Sequence, residues 1–461
     1  MNAWSPDPTK LSRPAYLSLA DQFTRAIADG SLAAGTQLKT QRKLAFELGL
    51  SVQTVSRSYE ELIRRGLIVG EVGRGSFVRA GLAENAPPYL TERSKELIDL
   101  SILKPVSDRM HTELMRNGLH WVADNMAAAS ALSFRPSSVL PRHRAVAAEW
   151  LRRGGIVAAP DNIIITDGAT SAITTAVMSA APAGSTMATS ALTHHLLIPL
   201  CKYLGIHLEG LASDDDGILP DALDHAAARG AVQVLYMQPS AIGPRTTMVS
   251  EKRRIEIVEI ARRHDLTIIE NDVLNALIVD RPPPLAALAP ERVLHINGFT
   301  KITLPGLRLA YLVAPDRLSA SAANRHLVTN WMATPVMVDL LSHWINDGTV
   351  DKLLDWQRAA LRDRHALARD MLAGTSFRAH PQSLHIWLEL PPGYDEDQFV
   401  ARATQRGVAI ASGRAFRVND RNRRDAVRIA LGSTHVGELR RGLQMVTELL
   451  NEEAEPLLPM I

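Results

Sequence analysis

The sequence is poor in the features that mark secreted and membrane proteins. It has a single cysteine, Cys201, which excludes an intrachain disulfide and suits a reducing compartment. No apolar run reaches the roughly 18 to 20 residues that a helix needs to cross a bilayer. The opening residues, MNAWSPDPTK, lack the basic stretch followed by an apolar one that marks a secretory signal. We therefore expect a soluble, cytoplasmic protein with no membrane partner.

Metal-binding spacing is also missing. His194 and His195 are adjacent and lack the further ligands of a metal site, so we expect no metal. Hydrophobic residues make up 46% of the 461 residues and charged residues 22%, which is ordinary globular composition able to bury a sizeable core. This length fits one large α/β domain plus a small module.

Net charge is low but unevenly distributed. The whole chain carries a formal charge of +2, whereas residues 1–80 hold 11 Lys/Arg against 7 Asp/Glu, a net of +4. The remaining residues hold 40 basic and 42 acidic side chains, a net of −2. An excess of positive charge at one end indicates a polyanionic partner there.

Residues 12–80 have the pattern of three helices followed by a hairpin. Apolar residues recur at helical spacing from Tyr16 to Asp29, and Thr40 and Ser51 stand where they can cap two further helices. Two short apolar runs then flank residues 71–75, a glycine-containing turn with a basic tip. This order predicts a winged helix-turn-helix domain.

The third helix has the arrangement that a recognition helix needs. Gln53, Thr54 and Arg57 lie opposite its apolar face and near its N-terminus, where polar side chains reach base edges in the major groove. Each residue taken alone could equally be an ordinary surface residue, but the ordered set favours DNA binding. The predicted DNA-binding residues are Arg42, Ser51, Gln53, Thr54, Arg57, Arg74 and Gly75.

The rest of the chain has the pattern of an α/β domain. Residues 81–97 are mostly polar and contain Pro87-Pro88, which predicts a linker. Over residues 98–455, β-branched runs alternate with helical stretches, which predicts a mostly parallel sheet covered by helices on both faces. From about Asp395 the pattern changes to a smaller C-terminal α+β lobe.

Two motifs in this domain suggest a site for a phosphate and an amine. The strand 162–166 runs into a glycine turn, 167–171, at a helix N-terminus, where free N–H groups and the helix dipole favour a phosphate. Lys301 follows a strand, and Arg308 lies seven residues later. A lysine so placed can form a Schiff base while the arginine holds a phosphate. Either motif alone is weak evidence for such a site. The two motifs together with the run that follows Pro305 are stronger evidence.

These patterns resemble two known families. Residues 15–78 resemble the GntR-type winged helix in pieces such as Arg42-Lys43-Leu44-Ala45 and Gly73-Arg74-Gly75-Ser76-Phe77-Val78, although Val52 stands where many relatives have arginine. Residues 98–449 resemble fold-type I aminotransferases, which bind pyridoxal 5'-phosphate (PLP). The whole chain is similar to the MocR subfamily of GntR regulators. The resemblance implies a double-stranded DNA operator as partner and a head-to-tail homodimer.

The resemblance also implies roles for individual residues. Lys301 matches the lysine that holds PLP as an internal aldimine, and Arg308 matches the phosphate arginine. His194 falls where an aromatic ring stacks on the pyridine, and Arg428 where an arginine binds the carboxylate of a substrate or effector. The implied cofactor-binding set is Ala169, Thr170, His194, Asn271, Asp272, Thr300, Lys301 and Arg308.

Four positions depart from the aminotransferase pattern. Asn271 stands where an aspartate normally pairs with the pyridine nitrogen, and Asp272 beside it substitutes only if the strand end is irregular. Gly243 replaces an asparagine, Leu274 a tyrosine and Gly298 a hydroxyl residue. Without the aspartate's charge the ring is a poor electron sink. We therefore expect sensing of PLP or a small amino compound, weak or absent PLP occupancy, and little or no transaminase turnover.

Two alternatives stay open. The first is a working PLP-dependent aminotransferase with an appended DNA-binding module, which the winged helix and Asn271 disfavour. The second is a regulator that has lost PLP, which Lys301 and Arg308 disfavour.

Overall fold

The computed structural model describes residues 4–28, 31–32, 35–64, 67–71, 75–78, 97–418 and 424–452. The chain divides into two compact units, Met1–Ser94 and Lys95–Ile461. Of the predicted linker, residues 81–96 lie outside the described residues, and so does Arg74 of the predicted DNA-binding set. The domain boundaries predicted from the sequence therefore stay predictions.

The first unit contains three helices and an antiparallel hairpin, as the sequence pattern predicts. Its elements are α1 (Ala15–Ala28), α2 (Gln41–Leu48), α3 (Val52–Arg64), β1 (Ile68–Glu71) and β2 (Gly75–Val78), preceded by a 3-10 turn at Pro8–Lys10.

Local capping explains where these helices begin and end. The Thr40 hydroxyl accepts from the Lys43 N–H at 3.4 Å, and the Ser51 hydroxyl accepts from the Thr54 N–H at 3.0 Å. Gly49 ends α2 with φ +64°, a left-handed conformation that glycine adopts without strain. The unit then closes on a small apolar core formed by Leu19, Phe23, Leu44, Val55, Tyr59 and Leu62.

The second unit is a larger α/β structure. Its helices are α4 (Arg109–Asn125), α5 (Ala128–Leu132), α6 (Pro136–Val139), α7 (Pro141–Arg153), α8 (Ala169–Ala180), α9 (Leu197–Tyr203), α10 (Pro220–Ala228), α11 (Glu251–Arg263), α12 (Leu285–Leu288), α13 (Asp316–Asn330), α14 (Pro335–Asn346), α15 (Thr349–Met371), α16 (Glu396–Gln405) and α17 (Val436–Asn451). Short 3-10 helices span Pro160–Asn162, Pro305–Leu307 and Gly413–Phe416. Within the described ranges, no helix is both long and apolar enough to cross a membrane.

The strands of this unit form a central sheet and smaller ones. They are β3 (Ile98–Asp99), β4 (Ile163–Thr166), β5 (Thr186–Ser190), β6 (His207–Leu211), β7 (Ser213–Asp214), β8 (Gly217–Ile218), β9 (Val232–Met237), β10 (Thr267–Asn271), β11 (Val293–Gly298), β12 (Ala310–Val313), β13 (Phe377–Arg378), β14 (His385–Glu389), β15 (Val408–Ala409), β16 (Ala411–Ser412) and β17 (Ala426–Ala430).

The central sheet is mostly parallel, as predicted. Its seven strands have the order β4-β12-β11-β10-β9-β5-β6. Only β12 runs antiparallel to its neighbours β11 and β4 among these strands, and the other pairs are parallel. Because β5, β9, β10 and β11 run the same way, their carboxyl ends meet at one edge, which is where ligands bind in such sheets.

The smaller lobe begins earlier than the sequence pattern indicates. Its antiparallel sheet has the order β13-β14-β17-β16, so it starts at Phe377 rather than at about Asp395. The reason is that all of β14 pairs with β17, from His385 opposite Ala430 to Glu389 opposite Ala426. β3, at the start of the unit, also pairs with β15 of this lobe.

Candidate effector site and DNA-binding surface

The turn between β4 and α8 forms a seat for an anion. Gly168 adopts φ +86°, and α8 starts with no side-chain cap among the described residues, which leaves backbone N–H groups of its first turn available. The guanidinium of Arg308 lies against this turn, since a Cβ added at Gly168 would be 3.2 Å from its Nη2. The predicted phosphate residues Ala169, Thr170 and Arg308 are therefore brought together.

Lys301 lies beside two arginines. Its ammonium donates to the carbonyl of Leu103. Burial, together with the positive charges of Arg428 and Arg308, lowers the pKa of Lys301 to about 8. A substantial neutral fraction near physiological pH makes this amine a competent nucleophile toward a carbonyl group.

Asn271 ends β10 and pairs with an aromatic hydroxyl. Its Nδ2 donates to the Tyr236 hydroxyl at 2.7 Å, and both side chains are buried. Its Oδ1 is buried without a hydrogen-bond partner in the described structure. Asp272 lies elsewhere, because its Oδ2 accepts from Arg281 at 3.1 Å. The regular alternation of the strand thus holds, and the structure does not bring Asp272 to the side of Tyr236.

Three further polar atoms near these residues are buried without a partner in the described part of the chain. They are the Nδ1 of His194, the hydroxyl of Thr300 and the Oε1 of Gln238. Burial and the nearby charges of His195 and Lys301 lower the pKa of His194 well below its usual value, so its ring is neutral. Buried polar atoms normally have partners, so this set points to a bound polar ligand.

The chemistry of this set fits PLP. Free N–H groups with an arginine suit its phosphate, a neutral imidazole suits the face of its ring, and a lysine of lowered pKa suits its aldehyde. A separate cavity of about 60 Å³ lies between Thr189, Tyr236, Gln238 and Gly243, and its lining does not include Lys301, Arg308 or Asn271. It shares Ser190 and Arg245 with an open groove of about 940 Å³.

The departures predicted from the sequence have visible packing consequences. Leu274 is completely buried and belongs to the main apolar core of the larger unit. Gly298 faces Val273, and a Cβ added to it would lie 2.9 Å from Val273 Cγ1. The hydroxyl residue of the aminotransferase pattern therefore does not fit here unless Val273 moves.

Arg428 lies on β17 and is almost completely buried. Its guanidinium carbon is 4.7 Å from the centre of the Phe416 ring, and its Nη2 donates to the carbonyl of Ser101 at 2.6 Å. Its charge lowers the pKa of Lys301, which places the predicted carboxylate arginine near the predicted amine.

A buried acidic cluster lies on the Asp272 side of β10. Ligand-type atoms of Glu270, Asp272 and His295 fall within 4.8 Å of one another, a spacing that a metal ion could use. In the structure, Glu270 accepts from the N–H groups of Leu285 and Ala286 at 2.8 and 3.0 Å, and its Oε2 lies 2.9 Å from His295 Nδ1. Through these bonds, Glu270 holds the start of α12, at the end of the loop that follows β10.

The predicted DNA-reading residues lie at the surface of α3. Gln53 and Arg57 are exposed, Thr54 is half-buried, and the Ser51 and Thr54 hydroxyls are 2.8 Å apart at the cap. The Arg57 guanidinium lies 4.3 Å from the centre of the Tyr16 ring, which holds it against α1. The remaining predicted residues, Arg42 in α2 and Gly75 at the start of β2, are exposed as well.

Sequence reasoning missed two side chains and two backbone groups of the site. Tyr236 and Gln238 lie at and just after the carboxyl end of β9, and a polar tip at the end of an apolar strand was the available signal. The carbonyls of Ser101 and Leu103 have no sequence signal, because every residue has a carbonyl.

Comparisons with known proteins agree with both units. Residues 96–445, more than half of the chain, match the family described as "Aminotransferase class I and II", and residues 15–78 match "Bacterial regulatory proteins, gntR family". The uncharacterized HTH-type transcriptional regulator YdeF of Bacillus subtilis is 26% identical over 453 residues, 98% of this chain and 97% of the relative. The HTH-type pyridoxine biosynthesis transcriptional regulator PdxR of Corynebacterium glutamicum is 26% identical over 86% of this chain and 87% of its own length.

Solved structures support the fold of the larger unit. Pyrococcus horikoshii kynurenine aminotransferase matches with a TM-score of 0.72 at 21% identity, covering 82% of this chain and 99% of that one. An archaeal alanine:glyoxylate aminotransferase also gives 0.72, at 22% identity and over 77% and 91% of the two chains. The chain belongs to the aminotransferase class I and II family and, with its gntR-family domain, to the transcriptional regulators of the MocR type.

Proposed function

We propose that this regulator senses PLP or a small amino compound through Lys301, in the cytoplasm, and catalyses little or no transamination. The observation that carries the proposal is the grouping of Lys301, Arg308 and Arg428 in a unit fused to a winged helix. PLP, when bound, supplies an aldehyde that exchanges among amines. The chain supplies the phosphate seat at Gly168 and Arg308, the amine of Lys301 and a guanidinium for a carboxylate.

Poor turnover follows from the partner of the pyridine nitrogen. Asn271 would offer a bound pyridine nitrogen a neutral amide, and the hydrogen bond from Asn271 to Tyr236 fixes the orientation of that amide. A neutral oxygen stabilises a protonated pyridine much less than a carboxylate does. The residues therefore favour capture and exchange of amines over removal of a substrate proton.

An absorption titration tests PLP capture. Native protein mixed with PLP is expected to develop the visible band of a lysine-bound cofactor, and Lys301→Ala is expected to lose it. Lys202→Ala, at an exposed lysine of α9, is the matched control and should keep the band. A native spectrum equal to that of free PLP would refute the capture of PLP by this chain.

A turnover assay tests the alternative activity. Native protein loaded with PLP is incubated with a panel of amino acids and a keto-acid acceptor, and products are measured over many cycles. We expect at most a single half-reaction per active site. Sustained multiple turnovers would assign the chain to the working aminotransferases.

We also propose that Gln53 and Arg57 of α3 read an operator, with Arg42 and Arg74 binding phosphates. The exposed polar face of α3 and the net charge of +4 over residues 1–80 support this. Footprinting on the DNA upstream of its own and neighbouring genes tests it. A protected region should appear for native protein and disappear for the double change Gln53→Ala and Arg57→Ala.

A homodimer is the proposed assembly, with head-to-tail pairing. Its support is an apolar surface where the side chains of Leu132 and Phe134 are 83% and 79% exposed and Val328 is 85% exposed. The Trp331 indole N–H donates to the Phe134 carbonyl at 2.9 Å, which holds this surface in place. Sedimentation should give a dimer for native protein and a monomer for Phe134→Glu. A dimer in both would place the interface elsewhere.

A further inference from the structure

Residues 101–104, which we call the strap, cross the candidate site. The carbonyl of Ser101 accepts from Arg428, and the carbonyl of Leu103 accepts from Lys301. These are the two cationic side chains that the proposed function assigns to a ligand's carboxylate and carbonyl carbon. In this structure both are engaged by the protein's own backbone.

The strap is fixed on both sides. Before it, the N–H of Leu100 donates to the carbonyl of Ala409, and the carbonyl of Leu100 accepts from Ala430, each at 2.8 Å. At its last residue, the backbone packs tightly on Gly432, where an added Cβ would lie 2.2 Å from the Lys104 carbonyl oxygen. The strap is therefore held firmly at both ends. Between these ends, its backbone accepts two charge-assisted hydrogen bonds from side chains of the site.

A ligand competes for both of these bonds. An amine that condenses with a carbonyl group releases one water, and its nitrogen then carries one N–H as a protonated imine and none as a neutral imine. Lys301 therefore goes from three N–H donors to at most one, which weakens its hold on the carbonyl of Leu103. A ligand carboxylate pairs with the guanidinium of Arg428 and replaces the Ser101 carbonyl, since a charged acceptor binds more strongly than a neutral one.

We propose that the strap is an internal occupant of the effector site and that ligand capture releases it. This rests on the proposed function, because it assigns Lys301 and Arg428 to ligand binding. The ligand that releases both bonds best carries a carbonyl or amine-exchangeable group at one end and a carboxylate at the other.

A thiol-labelling experiment on the full chain tests the strap. Ser101→Cys places a reporter on it, and the native Cys201 is buried and labels slowly. Saturating PLP should raise the labelling rate. The additional change Lys301→Ala should raise it about tenfold without PLP, the effect of about 1.4 kcal/mol expected for one charge-assisted hydrogen bond, and should remove the response to PLP. Ser185→Cys, also half-buried and at the amino end of β5, is the control and should respond to neither change.

The outcomes separate the strap from the proposed function. If the PLP band forms while labelling of Ser101→Cys stays constant in every background, the strap proposal is overturned and PLP capture stands. If no band forms, PLP capture fails, and the comparison of Lys301→Ala with the native lysine still decides whether the amine holds the strap. Faster labelling of both reporters would mean general loosening and would also overturn the proposal.

Discussion

Replacing Asn271 by aspartate tests how well the folded protein tolerates a buried carboxylate at the position that we expect to face the pyridine nitrogen. The side chain is 2% exposed, and its described hydrogen bond goes to the neutral Tyr236 hydroxyl. Asn271→Asp therefore buries a carboxylate with no cation described beside it. Leaving a buried charge uncompensated costs about 3 kcal/mol.

The sign of the pH dependence follows from burial. The introduced carboxylate has its pKa raised in the folded state above the unfolded value of about 3.9. The folded protein is then unpenalised below the unfolded pKa, and stability is lost as the pH rises through the folded pKa. A cost of about 3 kcal/mol corresponds to about two pKa units, so most of the loss develops between about pH 4 and 6.

Urea unfolding followed by tryptophan fluorescence measures this cost, since six of the seven tryptophans lie in the larger unit. Asn271→Leu is the control, because it cannot titrate and its cost, about 1–3 kcal/mol for leaving the buried Tyr236 hydroxyl without this hydrogen bond, does not change with pH. PLP should stabilise Asn271→Asp more than native protein, because a protonated pyridine pairs with the carboxylate. Identical pH profiles for the two variants, with no difference on adding PLP, would refute the reasoning.

Three more predictions address the amine, the packing and the DNA. The rate of PLP capture, measured by stopped-flow absorbance, should rise with pH around a midpoint near 8, the pKa of Lys301. Arg428→Gln removes a positive charge that lowers this pKa, so it should move the midpoint upward. A rate that does not change with pH would contradict the assigned environment of Lys301. Gly298→Ala should destabilise the protein by about 1–3 kcal/mol in urea unfolding, because the added methyl group overpacks Val273. Adding Val273→Ala should restore most of that loss. If the double variant instead loses the sum of the two single losses in unfolding free energy, the contact between these residues is contradicted. Arg42→Ala should reduce the slope of log affinity against log salt by about one, and an unchanged slope would exclude a phosphate contact.

Much of the fold followed from local patterns. Thr40 and Ser51 mark helix starts because a side-chain oxygen satisfies an N–H group there, and the structure has both caps. The apolar strands predicted the mostly parallel sheet. The predicted start of the smaller lobe was wrong because β13 has only two residues, which leave almost no periodicity to detect in the sequence.

The candidate site was predictable only where chemistry depends on residue type. Lys301 and Arg308 are recognised by what they are and by their spacing. The pairing of Asn271 with Tyr236 joins residues on separate strands, so no local pattern contains it. The contacts of Ser101 and Leu103 use backbone atoms and depend wholly on how the chain folds over the site.

The antiparallel pairing of β11 with β12 has a consequence for how such a site changes. Gly298 lies opposite Ala310, and the N–H of Phe299 donates to the carbonyl of Leu309, so the loop bearing Lys301 and Arg308 is clamped at both roots. An insertion or deletion inside that loop would displace the amine and the guanidinium together. Engineering that retunes this protein for another ligand should therefore leave the length of the loop intact and vary the opposing walls of the pocket.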